Sequence, residues 1–163
     1  MKYLAHIAED GREKSVAAHL QGTAALAKRF ASSFGAEEDA GLAGMLHDVG
    51  KCTPEFQARL HGGARVDHST AGAKAAFEKG NLPVSFAIAG HHGGIPDGGN
   101  AQDEQEEGTL CGRMKRNGTF DTSILDQLAL PTIAPPSWLS RELQQNAFYT
   151  RMLYSCLVDA DFQ

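Results

Sequence analysis

His47 and Asp48 stand side by side at the end of a segment carrying Leu42, Met45, Leu46 and Val49, just before Gly50. The pair offers one imidazole nitrogen and one carboxylate at a single place. Consecutive helical residues point about 100° apart. The two side chains therefore straddle a site best from a helix end aimed into it. His47 would give a neutral nitrogen to one cation, and Asp48, with two oxygens, could bridge two. Imidazole and carboxylate together suit Mn, Fe, Co or Ni ions, with Zn or Mg as alternatives. Two such ions activate water and a phosphodiester for hydrolysis without a protein nucleophile.

Four more histidines could reach that place: His19, His68, and the adjacent pair His91 and His92, which Gly93 and Gly94 follow. Any one of them alone reads as an ordinary, partly buried side chain. All of them with the His-Asp pair, three groups falling at helix ends, read as a metal centre. His6 and His61 lack such partners. Asp159 and Asp161 are two apart near the C-terminus and face different sides of a helix. The stripe through Met152 and Ser155 favours Asp159 as the inward acid, leaving Asp161 facing solvent or in a supporting position. Lys51 would offset phosphate charge, or is an exposed lysine after a helix stop. Ser69 would orient a ligand or the phosphate, or is a helix-start hydroxyl.

The elements that must position these groups read as helices. Residues 1–14 look like an irregular lead-in, with Tyr3 and Leu4 packing on the body and Glu9, Asp10, Gly11, Arg12 and Glu13 solvated. Ser15 is a candidate N-cap for Val16, Leu20, Ala24, Ala27 and Phe30 at helical spacing, with the helix ending near Phe34 and Gly35. A second helix spans about 37–49. Thr53, Pro54 and Glu55 form a helix start. Another helix begins at 67–69 and ends at Gly80. Pro83 opens a further one that ends at Gly90. Residues 93–118 read as a long mobile loop, its acidic run 103–107 solvated and Arg113, Lys115 and Arg116 on the surface. A short helix is expected over 122–130. Ser140 caps a last helix with Leu143, Ala147, Phe148, Met152, Ser155 and Asp159 near one stripe. No strand alternation stands out, so the fold class is all-α.

With 163 residues, 42% hydrophobic and 21% charged, the chain is long enough for one globular domain with a real core. No apolar run approaches a membrane span, and the N-terminus is not a signal peptide. Cys52, Cys111 and Cys156 are odd in number and scattered, which predicts a reduced, cytoplasmic chain without a disulfide framework. The net charge of -5 is unlike that of a protein that grips nucleic acid by basic residues alone. Two bound divalent ions would reverse that locally by about four charges. The chain stops soon after Asp161, which suggests that the natural polypeptide continues.

The order His19, His47-Asp48-x-Gly50-Lys51, His68-Ser69, His91-His92 and Leu157-Val158-Asp159-Ala160-Asp161 resembles the HD-domain nucleases of type I CRISPR interference. The resemblance spans most of the chain and implies a compact helical bundle that cleaves single-stranded DNA with metal ions. It implies His47, Asp48 and Asp159 on one ion with His19 close by, and His68, His91 and His92 on a second, with Asp48 bridging and Lys51 facing phosphate. It further implies a superfamily 2 helicase, fused or separate, and a crRNA-guided surveillance complex as partners. This sequence has no helicase, so it reads as an excised nuclease domain or a stand-alone subunit. An HD phosphohydrolase acting on nucleotides or cyclic dinucleotides would use nearly the same metal shell. A non-catalytic, metal-stabilised docking module is the remaining reading, although seven candidate ligands exceed the four of a closed structural site.

Overall fold

In a computed structural model of the chain, residues 3–8, 10–133 and 135–163 are described. Helix accounts for 56% and strand for 4%, so the fold is all-α. Glu9, read as solvated, lies outside the described residues.

The lead-in is not irregular. Strands β1 (Leu4–Ile7) and β2 (Glu13–Ser15) form a small antiparallel hairpin. Segments of four and three residues are too short to show alternation. Ser15 then caps α1 (Val16–Ala31), its hydroxyl accepting from the backbone N–H of Ala18. A 3-10 turn continues to Phe34, and Gly35 ends it at φ +72°, the left-handed conformation that glycine adopts without strain. Helix α2 (Glu37–Leu46) stops three residues earlier than its apolar spacing predicts, and His47 occupies its C-cap. Asp48 leads into a 3-10 turn, Val49–Lys51. Thr53 caps α3 (Pro54–Arg59).

Helix α4 (Ser69–Glu78) and α5 (Leu82–Gly90) form an antiparallel hairpin joined by a tight connection. Asn81 caps α5 through its side chain and also donates to Asp39 of α2 (2.8 Å). Tyr149 of α7 (Leu143–Phe162) donates to the other Asp39 oxygen (2.7 Å). This buried carboxylate thus ties three helices. The start of α7 differs from expectation: Glu142 is the N-cap without a side-chain bond, and Ser140 instead accepts from the N–H of Glu142. The expected 122–130 helix is a 3-10 turn, Thr122–Gln127. The glycine-rich segment is partly built, with α6 (Leu110–Lys115) inside it and Leu110 and Asp103 buried. No helix among the described residues is long and apolar enough to cross a membrane.

Small residues let the helices approach closely. A Cβ on Gly72 would collide with the carbonyl of Leu46, and one on Gly50 with the carbonyl of His68. Both approaches bring the His47–Asp48 break against the start of α4. The Gly72→Ala variant should therefore lose about 3 kcal/mol in urea unfolding, as an overpacked core position does. Gly22, in α1 with open space around it, should gain about 0.5–1 kcal/mol on Gly22→Ala from helix propensity. Equal effects at the two glycines would contradict the close-approach account.

Candidate metal centre

Five helix ends or adjoining turns converge. His19 comes from the first turns of α1, His47 and Asp48 from the end of α2, His68 from the N-cap of α4, and His91 and His92 from the end of α5. The last turn of α7 brings Asp161. Asp48 is buried and sits between two sets of ligands. Its Oδ2 lies 2.9 Å from His19 Nε2 and 3.3 Å from His47 Nε2. Its Oδ1 lies 3.3 Å from His68 Nε2 and 3.5 Å from His91 Nε2. His92 Nε2 lies 2.7 Å from His68 Nε2. Two groups able to hold a cation therefore share one carboxylate: His19, His47, Asp48 and Asp161, and Asp48, His68, His91 and His92.

The inward acid is Asp161, not Asp159. Asp161 Oδ1 is 3.2 Å from both His19 Nε2 and His47 Nε2, whereas Asp159 is exposed. The buried stripe of α7 runs through Tyr149, Thr150, Leu153, Leu157 and Ala160, and Asp161 lies one turn beyond Leu157 on that side. Ser155, taken as inward from spacing, is exposed on the same side as Asp159. Leu143 and Phe148 misdirect the apolar count, because both are exposed. His6 and His61 are exposed and stand apart from the cluster.

Ring orientation is fixed by the backbone. His47 Nδ1 meets the carbonyl of Gly44 (2.9 Å), His68 Nδ1 that of Val66 (3.2 Å), and His91 Nδ1 that of Ile88 (2.7 Å). A carbonyl only accepts, so each Nδ1 carries a proton. With Nδ1 so occupied, Nε2 is the nitrogen each ring turns to the centre and would offer to a cation on losing any second proton, the orientation that metal-ligating histidines take. Asp48 Oδ1 and His91 Nε2 are buried without a hydrogen-bond partner. Two facing acceptors with nothing between them are a costly arrangement that a cation relieves. With bonds of about 2.1 Å, two ligand atoms on one ion stand at most about 4.2 Å apart, and the contacts given above lie within that reach. The donor set thus fits divalent metal.

The electrostatics point the same way. Burial alone would hold the His47 imidazole down, but the carboxylates of Asp48 and Asp161 override it and raise its pKa to about 10. Burial would raise Asp48, yet the charge of His47 and the hydrogen bond from His19 hold its carboxyl well below the usual range. Burial and the neighbouring His91 and His68 lower His92 to about 4. His92 is exposed, so the second group opens to solvent there.

Of the two readings each of Lys51 and Ser69 allowed, Ser69 takes that of a helix-start hydroxyl, at the first position of α4. The Lys51 ammonium lies 2.6 Å from Asp48 Oδ2 and near the Phe56 ring, so it is neither free nor exposed. The Ser69 hydroxyl is engaged with Asp67 Oδ1 (3.3 Å) and with Arg113 Nη1 (3.3 Å), on the flank of the centre. Arg113, read as a surface residue, also donates to the carbonyl of Ala89 (2.8 Å). Nothing in a glycine-rich loop sequence signals that contact.

Residues 16–128 match the HD domain family. The chain belongs to the HD domain family. HD domains are in general metal-dependent phosphohydrolases, and the His-Asp groups of this HD domain could hold metal. No curated protein matches the sequence.

Asp161→Asn should weaken divalent-metal binding by about tenfold or more in calorimetric titration, while Asp159→Asn changes it less than twofold. The reverse order would place the wrong face of α7 at the centre. Metal binding requires a neutral His47 imidazole, which the metal-free protein protonates up to about pH 10. Affinity should therefore rise with pH between 7 and 9, with about one proton released at the His47 group. Titrations in buffers of different ionisation enthalpy would measure that proton, and a pH-independent affinity would contradict the assignment.

Proposed function

We propose that this HD domain is a metal-dependent nuclease that hydrolyses phosphodiester bonds of single-stranded DNA with two divalent transition-metal ions. The observation that supports this most is the single carboxylate of Asp48, whose two oxygens face two separate histidine groups a few ångströms apart. Bound divalent ions would supply Lewis-acid activation of the phosphodiester and of the attacking water. The residues of the chain do the rest. Asp48 fixes the spacing of the two positions, and Asp161 and the five histidines complete them. Gly44, Val66 and Ile88 hold the tautomers that keep nitrogen lone pairs inward. Lys51, paired with Asp48 Oδ2, can turn from it to a phosphate oxygen once that oxygen is otherwise engaged.

The opening at His92, followed by exposed Gly93 and Gly94, suits a polymer passing over the centre. The role in CRISPR interference, with a superfamily 2 helicase feeding strand and a crRNA-guided complex recruiting the nuclease, rests on the order of the motifs. In that reading the chain is a single nuclease domain, alone or part of a nuclease-helicase.

The test offers metal-stripped protein circular single-stranded DNA, circular duplex DNA, deoxynucleotides and cyclic dinucleotides, each with Mn, Ni, Co, Zn or Mg. Linearisation of the single-stranded circle is expected, together with a loss of at least about a thousandfold in Asp48→Ala. Hydrolysis of the small nucleotides alone would instead make this HD domain a nucleotide phosphohydrolase.

A further inference from the structure

The hairpin of α4 and α5 is closed at one end by the residues between Glu78 and Leu82. Its histidines lie at the other end: His68 just before α4, and His91 and His92 just after α5. That open end is the farthest from the connection, so nothing covalent nearby fixes its width. Arg113 spans it. A single Nη1 donates to the carbonyl of Ala89, two residues before His91, and to Ser69, the neighbour of His68 (2.8 and 3.3 Å).

The arginine is itself well anchored. Helix α6, which carries it, is tied to the preceding segment by Leu110 N–H to the Asp97 carbonyl (2.8 Å) and Cys111 N–H to the Gly98 carbonyl (3.0 Å). Asp103, buried within the segment, accepts from Thr109. Arg116 grips the carbonyls of Gln105 (2.7 Å) and Glu107 (3.0 Å) and reaches Asp67 (3.2 Å), which also takes the hydroxyls of Ser69 and Thr70. Arg113 Nε is buried without a partner. A buried donor left unsatisfied is a cost, and it is tolerated here by a side chain whose other nitrogen bridges two helix ends.

We infer that Arg113 is a positioning residue: its guanidinium clasps the open end of the α4–α5 hairpin and sets the separation of His68 from His91 and His92, and so the affinity of that group for its ion. The inference rests on the two-ion reading above. It concerns the group that includes His92; the one that includes His47 and Asp161 is built on α1, α2 and α7, shares only Asp48 with it, and takes no hydrogen bond from Arg113.

Mn(II) titration by calorimetry and electron paramagnetic resonance of the loaded protein test this. Wild type should bind two Mn(II) with an exchange-coupled spectrum, and His92→Ala identifies the ion of the second group. In Arg113→Met that ion should bind at least about tenfold more weakly, with the spectrum of an isolated Mn(II), while the other ion stays within about threefold. Arg113→Lys should restore part of the loss, because one ammonium replaces the planar fork less well. It also carries the comparison where the methionine variant does not fold. A second ion bound as tightly as in wild type, or an equal loss at both ions, overturns the clasp alone. A single ion in wild type overturns the two-ion reading and the clasp with it.

Discussion

A buried carboxylate is the constraint from which the rest of this molecule follows. Taking an ionised Asp48 out of water costs several kcal/mol unless partners return that energy. The chain surrounds it with His19, His47, His68 and His91 and with the Lys51 ammonium. These partners still leave Oδ1 without a hydrogen bond. The arrangement is incomplete as a salt-bridge network, and Asp48 belongs to both groups that could hold a cation.

Bringing so many polar groups together requires helix ends rather than helix faces, because only ends can converge from several directions. Gly50 and Gly72 permit that convergence by letting the α2 break and α4 touch through backbone. The shortened α2 has the same role. By stopping at Leu46 it frees His47 and Asp48 from the 100° spacing that would otherwise send them to different faces. Away from the centre, Asp39, Asn81 and Tyr149 lock α2, α5 and α7 together, which holds the end of α5 and the last turn of α7 in register with the break.

The helical fold was legible in the sequence because caps and breakers are local signals: Ser15, Gly35, Thr53 and Pro54 mark their boundaries without tertiary information. The histidines were legible by type and by their position at those boundaries. What escaped depended on packing. The choice between Asp159 and Asp161 turned on which side of α7 is buried, and exposed Leu143 and Phe148 made the solvent side look apolar. The β1–β2 hairpin was too short for any period to show. The contact of Arg113 with Ala89 and Ser69 spans 24 and 44 residues, and no local pattern encodes it.

The most direct measurement of the central claim is anomalous diffraction from crystals of the Mn-loaded protein, collected at the manganese edge. The account requires two peaks about 3.5–4 Å apart, one on each side of the Asp48 carboxylate, the first beside His47 and Asp161 and the second beside His68 and His91. A single peak, or peaks that Asp48 does not join, would contradict it.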